Sequence, residues 1–362
     1  MKIVGNIWAW VVAVVTLVGC THNDMPENEK DIPIDVTKRY IHFDTNISSR
    51  GTLVTGDYLQ ENFAALGYMY RGDWNTAKVL AEPNVFAYTP QTVSYTNGVY
   101  SYNPIQPWTG NTYSFFAYYP MGNDKIKLFD DGTAKTGEPY ITYELPLSAG
   151  LSGLVDVMTA SYIDTDVNTS PSVPMHMHHR LSCVDVGLRN YYEYDDDNDP
   201  LTDKVPVTIE VTSLQVTLNN LMHTTAKIFL DPGIQTEYLD NEATPTTFTL
   251  VSGSTFTVDN GKDNMTFVDD TSLLLFPQTE ALTGTTTLTY KKKYGDGEDD
   301  YIMNTETNNE FQTTLDVDFD RPLLEGRRYY IQITFTSDAV SINIVAADEW
   351  NELEEDVDYE FE

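Results

Sequence analysis

Residues 330–346 read "YIQITFTSDAVSINIVA". Ile331, Ile333 and Phe335 occupy every second position, Ser337-Asp338 interrupts, and Val340, Ile342 and Ile344 resume the alternation. A period of two is that of a strand with one face in a core and one in water, and Ser-Asp is turn chemistry. The stretch therefore predicts a β-hairpin with one apolar face. The same alternation recurs upstream. In "VPVTIEVTSLQVTLNN" (205–220), Val207, Ile209 and Val211 share one phase while Leu214, Val216 and Leu218 share the other. That change of phase predicts a bulge or turn near Ser213. "TVSYTNGVYSY" (92–102) holds Asn97-Gly98 between β-formers, a two-residue hairpin signal. No segment carries an apolar stripe at helical spacing, so the expected fold is all-β.

An acidic stretch, "YYEYDDDNDPLTDKVP" (191–206), breaks the run of strands. The expected architecture is two tandem β-sandwich domains, transthyretin-like or immunoglobulin-like Greek keys, at 39–194 and 195–350. Residues 21–38 are polar, contain two prolines and show no periodicity, as befits a flexible tether. Residues 351–362 form a separate tail.

The first twenty residues read as a targeting segment. Lys2 precedes an almost unbroken apolar run from Ile7 to Val18, too short for a membrane-spanning helix. Leu17-Val18-Gly19-Cys20 resembles a bacterial lipobox, which implies acylation of Cys20 and attachment to the outer membrane through lipid. Cys183 is then the only remaining thiol, so no intramolecular disulfide is expected, and its place in "RLSCVDVGL" suits a buried strand position.

A formal charge of −34 repels phosphate backbones and excludes nucleic acid as a partner. With 41% apolar and 12% aromatic residues, the chain nonetheless has the material for a core and is not disordered. Chemistry finds little footing. His176 and His178 in "MHMHHRL" would share a strand face within reach of one ion, but no acid or cysteine completes the set at a recognised spacing, so packing or surface strand histidines are expected there and no metal. "DDDNDP" (195–200) begins like a calcium loop, but Pro200 and Pro206 stand where the loop needs Gly and Glu. That stretch and "GDGEDD" (295–300) read as solvated acidic loops. No nucleophile elbow or phosphate-cradling loop occurs, and no catalytic residue, cofactor or metal is expected. Trp74, Trp108 and Trp350 are expected in the core; the competing class is a surface glycan-binding lipoprotein stacking sugars on such rings.

Several segments, in order, resemble the fimbrillin family, the β-sandwich subunits of lipoprotein-derived type V pili. They are "SFFAYYP" (114–120), "VDVMTASY" (155–162), "MHMHHRLSCVDVGL" (175–188) with His179, Leu181 and Ser182 matching, "LLLFPQTE" (273–280), and "LLEGRRYYIQITF" (323–335) followed by "VAADEW" (345–350). The resemblance implies export as a lipoprotein and a location at the outer membrane, cell surface and fimbrium. It also implies removal of the acylated piece with the first strand by an arginine-specific protease, and filling of the emptied groove by another subunit. In this sequence Arg50, before Gly51, follows the alternating "YIHFDTN", and cleavage there would release Ile41 and Phe43. Arg39 and Arg71 are rivals, and retention of the lipid, as in anchor subunits, is the alternative. The implied partners are other fimbrial subunits and a host protein or glycan.

The tail "DVDYEFE" (356–362) alternates strictly: Val357, Tyr359 and Phe361 on one face, Asp356, Asp358, Glu360 and Glu362 on the other. It has the form of a donor strand for a neighbour's groove, its acids discouraging two free tails from pairing. The alternative is an edge strand of its own subunit.

Overall fold

The computed structural model describes residues 40–346 except 48–58, 130–135, 167–171, 195–204, 241, 262–264, 269–271, 295–300, 303, 305–306 and 308. Alternation becomes strands throughout, arranged in four sheets and a small ribbon. The first sheet runs β1 (Phe43–Ile47), β9 (Val173–His179), β8 (Met158–Thr165), β5 (Thr112–Tyr119), β2 (Phe63–Tyr70), β3 (Gln91–Thr96) and β4 (Val99–Ser101). The second runs β17 (Thr266–Phe267), β10 (Ser182–Tyr191), β21 (Arg328–Thr336) and β22 (Val340–Ala346), with β18 (Leu273–Leu275) also on β10. A third joins β16 (Thr244–Val258), β13 (Thr208–Leu221), β19 (Ala281–Lys293) and β20 (Phe311–Pro322). A fourth joins β15 (Glu237–Tyr238), β14 (Thr225–Phe229), β7 (Tyr140–Glu144) and β6 (Ile126–Leu128). The ribbon pairs β11 (Glu193–Tyr194) with β12 (Val205–Pro206).

The local expectations hold where the chemistry is local. The opening hairpin is β21–β22, with Phe335 opposite Val340 and Ile333 opposite Ile342. Asn97 and Gly98 both take positive φ, 51° and 83°, and close β3 onto β4 with Thr96 opposite Val99. The phase change in β13 is a register shift between Val211 and Ser213 against both β16 and β19. It returns Leu214, Val216 and Leu218 to the core beside Ile209 and Val211. Among the described residues a single short α-helix, α1 (Trp74–Ala77), lacks the length for periodicity to announce it; Asp73 caps it by accepting from Thr76 N.

The pairings between distant segments are of a different kind. The expected boundary near residue 195 lies between β11 and β12, and hydrogen bonding runs across it. β10 pairs in parallel with β21, and β7 pairs antiparallel with β14. Leu181 through Leu188 are all buried, Asp185 included, so β10 is covered on both faces. Cys183 sits there fully buried, and burial beside Asp185 pushes its thiol well up. Cys183 should accordingly resist alkylation in the native protein and react within minutes once the chain is denatured, as mass spectrometry after iodoacetamide treatment would read. Alkylation of the native state at a comparable rate would contradict this packing.

Among the described residues two apolar clusters fill the interior. The larger draws on all four sheets, from Ala64 to Phe335. The smaller is confined to residues 41–177 and is rich in rings and methionine: Phe43, Phe63, Tyr113, Phe115, Met158, Met175 and Met177. That smaller cluster is where the first strand sits.

Candidate functional site

Segment 40–47 is stitched along both sides. On one side β1 lies parallel to β9, Phe43 beside Val173 and Thr45 beside Met175, with Val173 N donating to His42 O at 2.7 Å. On the other, Tyr40 bridges to Pro107, Ile41 N donates to Gln106 O at 2.9 Å, and the Tyr102 hydroxyl donates to Ile41 O at 3.0 Å. Among the described residues β1 has one ladder neighbour, β9, which makes it an edge strand of the first sheet.

The alternation of "YIHFDTN" is spent on this seat. Ile41 is wholly buried, and Phe43 lies among four rings, Phe63, Phe86, Tyr102 and Phe115, with centroids 5.7 to 6.0 Å away. Three of those contacts are edge-on, a geometry worth roughly 0.5–1.5 kcal/mol beyond area burial. Ile41 and Phe43 together contribute roughly 3–6 kcal/mol of apolar transfer. Thr45 points inward as well: it is 1% exposed, its Oγ1 sits 2.6 Å from the Tyr100 hydroxyl and donates to Leu59 O at 3.4 Å. Burial raises the Tyr102 hydroxyl to about 12, which keeps it a neutral donor to the Ile41 carbonyl at physiological pH. Asp44 faces water.

Sequence reasoning names Ile41 and Phe43 and misses Thr45, Tyr100 and Tyr102. Thr45 continues the alternation by one step, but a hydroxyl reads as a solvent-facing residue until Tyr100 arrives from across the sheet. Arg50, Gly51, Cys20, Arg39, Trp350 and the tail residues Val357, Tyr359 and Phe361 lie outside the described residues. Trp74 and Trp108 are buried, 2% and 9% exposed. The three histidines diverge. His176 is exposed, His178 is half-buried with its ring held below the usual histidine range by burial, and His179 is buried with Nδ1 2.8 Å from the Asp156 carboxylate. That contact ties "VDVMTASY" to "MHMHHRL", two of the segments singled out above, across the β8–β9 edge. The acidic loops at 195–200 and 295–300 fall outside the described residues.

Fimbrium subunit Fim1C of Phocaeicola vulgatus is 29% identical over 175 residues, which is 45% of this chain and 44% of that subunit. The match thus spans less than half the length of that relative. A fimbrial protein from Bacteroides vulgatus shares the fold, with a TM-score of 0.59 at 17% identity over 86% of this chain and 100% of the other. Residues 59–350 match the fimbrillin-like family, so most of the chain is accounted for by one family, and the protein is a member of it.

Proposed function

We propose that the chain is a fimbrial subunit that polymerises by strand exchange and serves cell adhesion, exported as a lipoprotein acylated on Cys20 and trimmed between Arg50 and Gly51. The observation that carries this reading is the seat of β1. Three alternate side chains, Ile41 just before β1 and Phe43 and Thr45 within it, are buried in a segment that precedes Arg50 in the sequence. Cutting there detaches β1 from everything after it, and loss of the strand would bare the Phe63–Phe86–Phe115 cage and an unpaired edge of β9. The domain cannot relieve that exposure by itself, because buried backbone groups and apolar surface would both meet water. A strand from a neighbouring subunit would relieve both, and residues 356–362 have the alternation to supply it. Trp74 and Trp108 are buried, which favours assembly over sugar stacking at those positions. The reading assigns the subunit no chemistry of its own.

N-terminal sequencing of protein recovered from cell surfaces tests it. Filament material should begin at Gly51, and Arg50→Ala should leave lipid-bearing, unpolymerised subunits that begin at Cys20. Filaments from the Arg50→Ala chain, or filament subunits that begin at Cys20, would sink the processing step.

A further inference from the structure

Asp and Glu outnumber Lys and Arg by 55 to 21 in this chain, yet the middle of the third sheet's solvent face carries no charge among the described residues. β19 buries Leu282, Leu288 and Tyr290 and leaves Thr283, Thr285, Thr287 and Thr289 on the side facing water. Pairing extends two of these positions into rows across the sheet. One row reads Thr249, Gln215, Thr287 and Thr314; the next reads Thr247, Thr217 and Thr285 and ends on Asp316. The polar groups bond along the rows: Thr217 and Thr247 hydroxyls lie 2.9 Å apart, those of Thr287 and Thr314 3.3 Å, and Gln215 Nε2 donates to Thr249 at 3.5 Å. Covering this face therefore strands no ion and few donors.

Threonine favours strands, but strand propensity does not account for the missing acid. The edge strand β20 of the same sheet exposes Asp316, Asp318 and Asp320. Acid is tolerated here and kept to the rim, the distribution found across protein interfaces. A neutral ligand would welcome carboxylates as acceptors, so clearing them serves only against a partner that is itself acidic. A second copy, also at −34, is such a partner, and two copies can meet only where acid does not face acid. We infer that the solvent face of the third sheet is a contact between two copies of this chain, related by a two-fold axis running along the strands between β13 and β19.

Charge selects that axis. Rotation about it lays β20 over the partner copy's β16, so Asp316 and Asp318 meet threonines. It also lays β19 over β13, which sets Lys291 towards Glu210, its neighbour across the ladder, at the end where this face does carry charge. An axis across the strands would keep β20 on β20 and bring both sets of aspartates to one edge. Aligned sheets pack with their strands within about 30° of each other, as this arrangement requires. Four strands about 4.8 Å apart and four rows about 6.8 Å apart cover roughly 15 by 20 Å. That is well short of the roughly 800 Å² per partner of a stable interface. The pair is weak, and salt strengthens it by screening the repulsion of the two acidic bodies.

The contact belongs to the chain before cleavage, with β1 in its seat, so it stands or falls apart from strand exchange. The full chain, uncleaved and in a mild detergent that keeps the N-terminal apolar run soluble, is sedimented over a range of concentrations. The dimer fraction should rise at least about threefold between roughly 20 mM and 500 mM sodium chloride. Thr287→Glu should cut it at least about tenfold, whereas His176→Glu, an equal charge at an exposed position of β9, should leave it unchanged. A chain monomeric throughout, a dimer that weakens with salt, or a Thr287→Glu dimer as strong as the native one overturns the inference. Cross-linking reads the same face without added charge, and so decides even if Thr287→Glu misfolds. Sheets stack about 10 Å apart, so a bismaleimide of that reach should join chains carrying Thr314→Cys to chains carrying Thr249→Cys and neither to itself. Cys183 is buried and does not compete, and the unsubstituted chain serves as blank for Cys20. Thr314→Cys chains joined to each other, or no joining in the mixture, overturn the inference.

Discussion

Without residues 353–362 the subunit is expected to fold, mature and fail to polymerise, with its unfolding temperature within about 2 °C of the full chain. The size of the effect follows from what the segment would bury. A strand of seven residues spans roughly 23 Å, enough to run the length of the β1 seat. Val357, Tyr359 and Phe361 would contribute roughly 1.5–3 kcal/mol each on burial, and ladder hydrogen bonds add about 1 kcal/mol net apiece. The sum approaches the stability of a whole domain, about 5–15 kcal/mol, so its loss should eliminate filaments rather than thin them. The competing arrangement, in which the segment is an edge strand of its own subunit, makes the opposite forecast. Removing three buried side chains would then lower the unfolding temperature by roughly 10 °C or more. Electron microscopy of the matured protein and a thermal melt of the same preparation separate the two, since each arrangement moves only one of the readouts.

Much of this site is legible in the sequence because its signals are local. Alternation in "YIHFDTN" identifies the inward residues Ile41 and Phe43, Asn97-Gly98 fixes a two-residue turn, and the phase change at Ser213 marks the break in register. Alternation tells which face of a strand is apolar; it does not tell which strand lies alongside. For that reason the parallel pairing of β10 with β21 and the union of β7 with β14 are absent from any reading of the sequence. Inward polar residues are hidden by the same limit. Thr45 looks like a surface residue until Tyr100 supplies its partner from β4. Asp185 shares the phase of Leu181 and Cys183, an apparent error in a buried strand, until Arg328 is placed on the neighbouring one.

That acidic residue leads to the largest expected loss of stability. Arg328→Ala should destabilise the native protein by about 3–5 kcal/mol, because it strands a carboxylate that has nowhere to go. Asp185 and Arg328 are 6% and 5% exposed. The guanidinium Nε donates to Asp185, the Ser272 hydroxyl donates to its other oxygen, and the Arg328 guanidinium lies 5.3 Å from the centre of the Tyr330 ring. Here a protein-wide excess of acid is irrelevant; the pair is sealed between β10 and β21. Replacing both members by apolar residues, Asp185→Leu with Arg328→Met, removes the stranded charge as well as the bond, so the double variant should lose far less than the sum of the single losses. Equilibrium denaturation of the four proteins gives the coupling directly, and additive losses would show that the two groups do not interact. The double variant also tests why the pair is there. β10 is buried on both faces, so its apolar pattern resists a one-residue slip against β21 less than a half-exposed strand would. A charged pair admits only one register, since slipping leaves both ions unpaired in the core. The apolar double variant is therefore expected to keep most of its stability and to show doubled amide resonances along β10 and β21, whereas a single set of resonances would mean that packing alone holds the two strands in step.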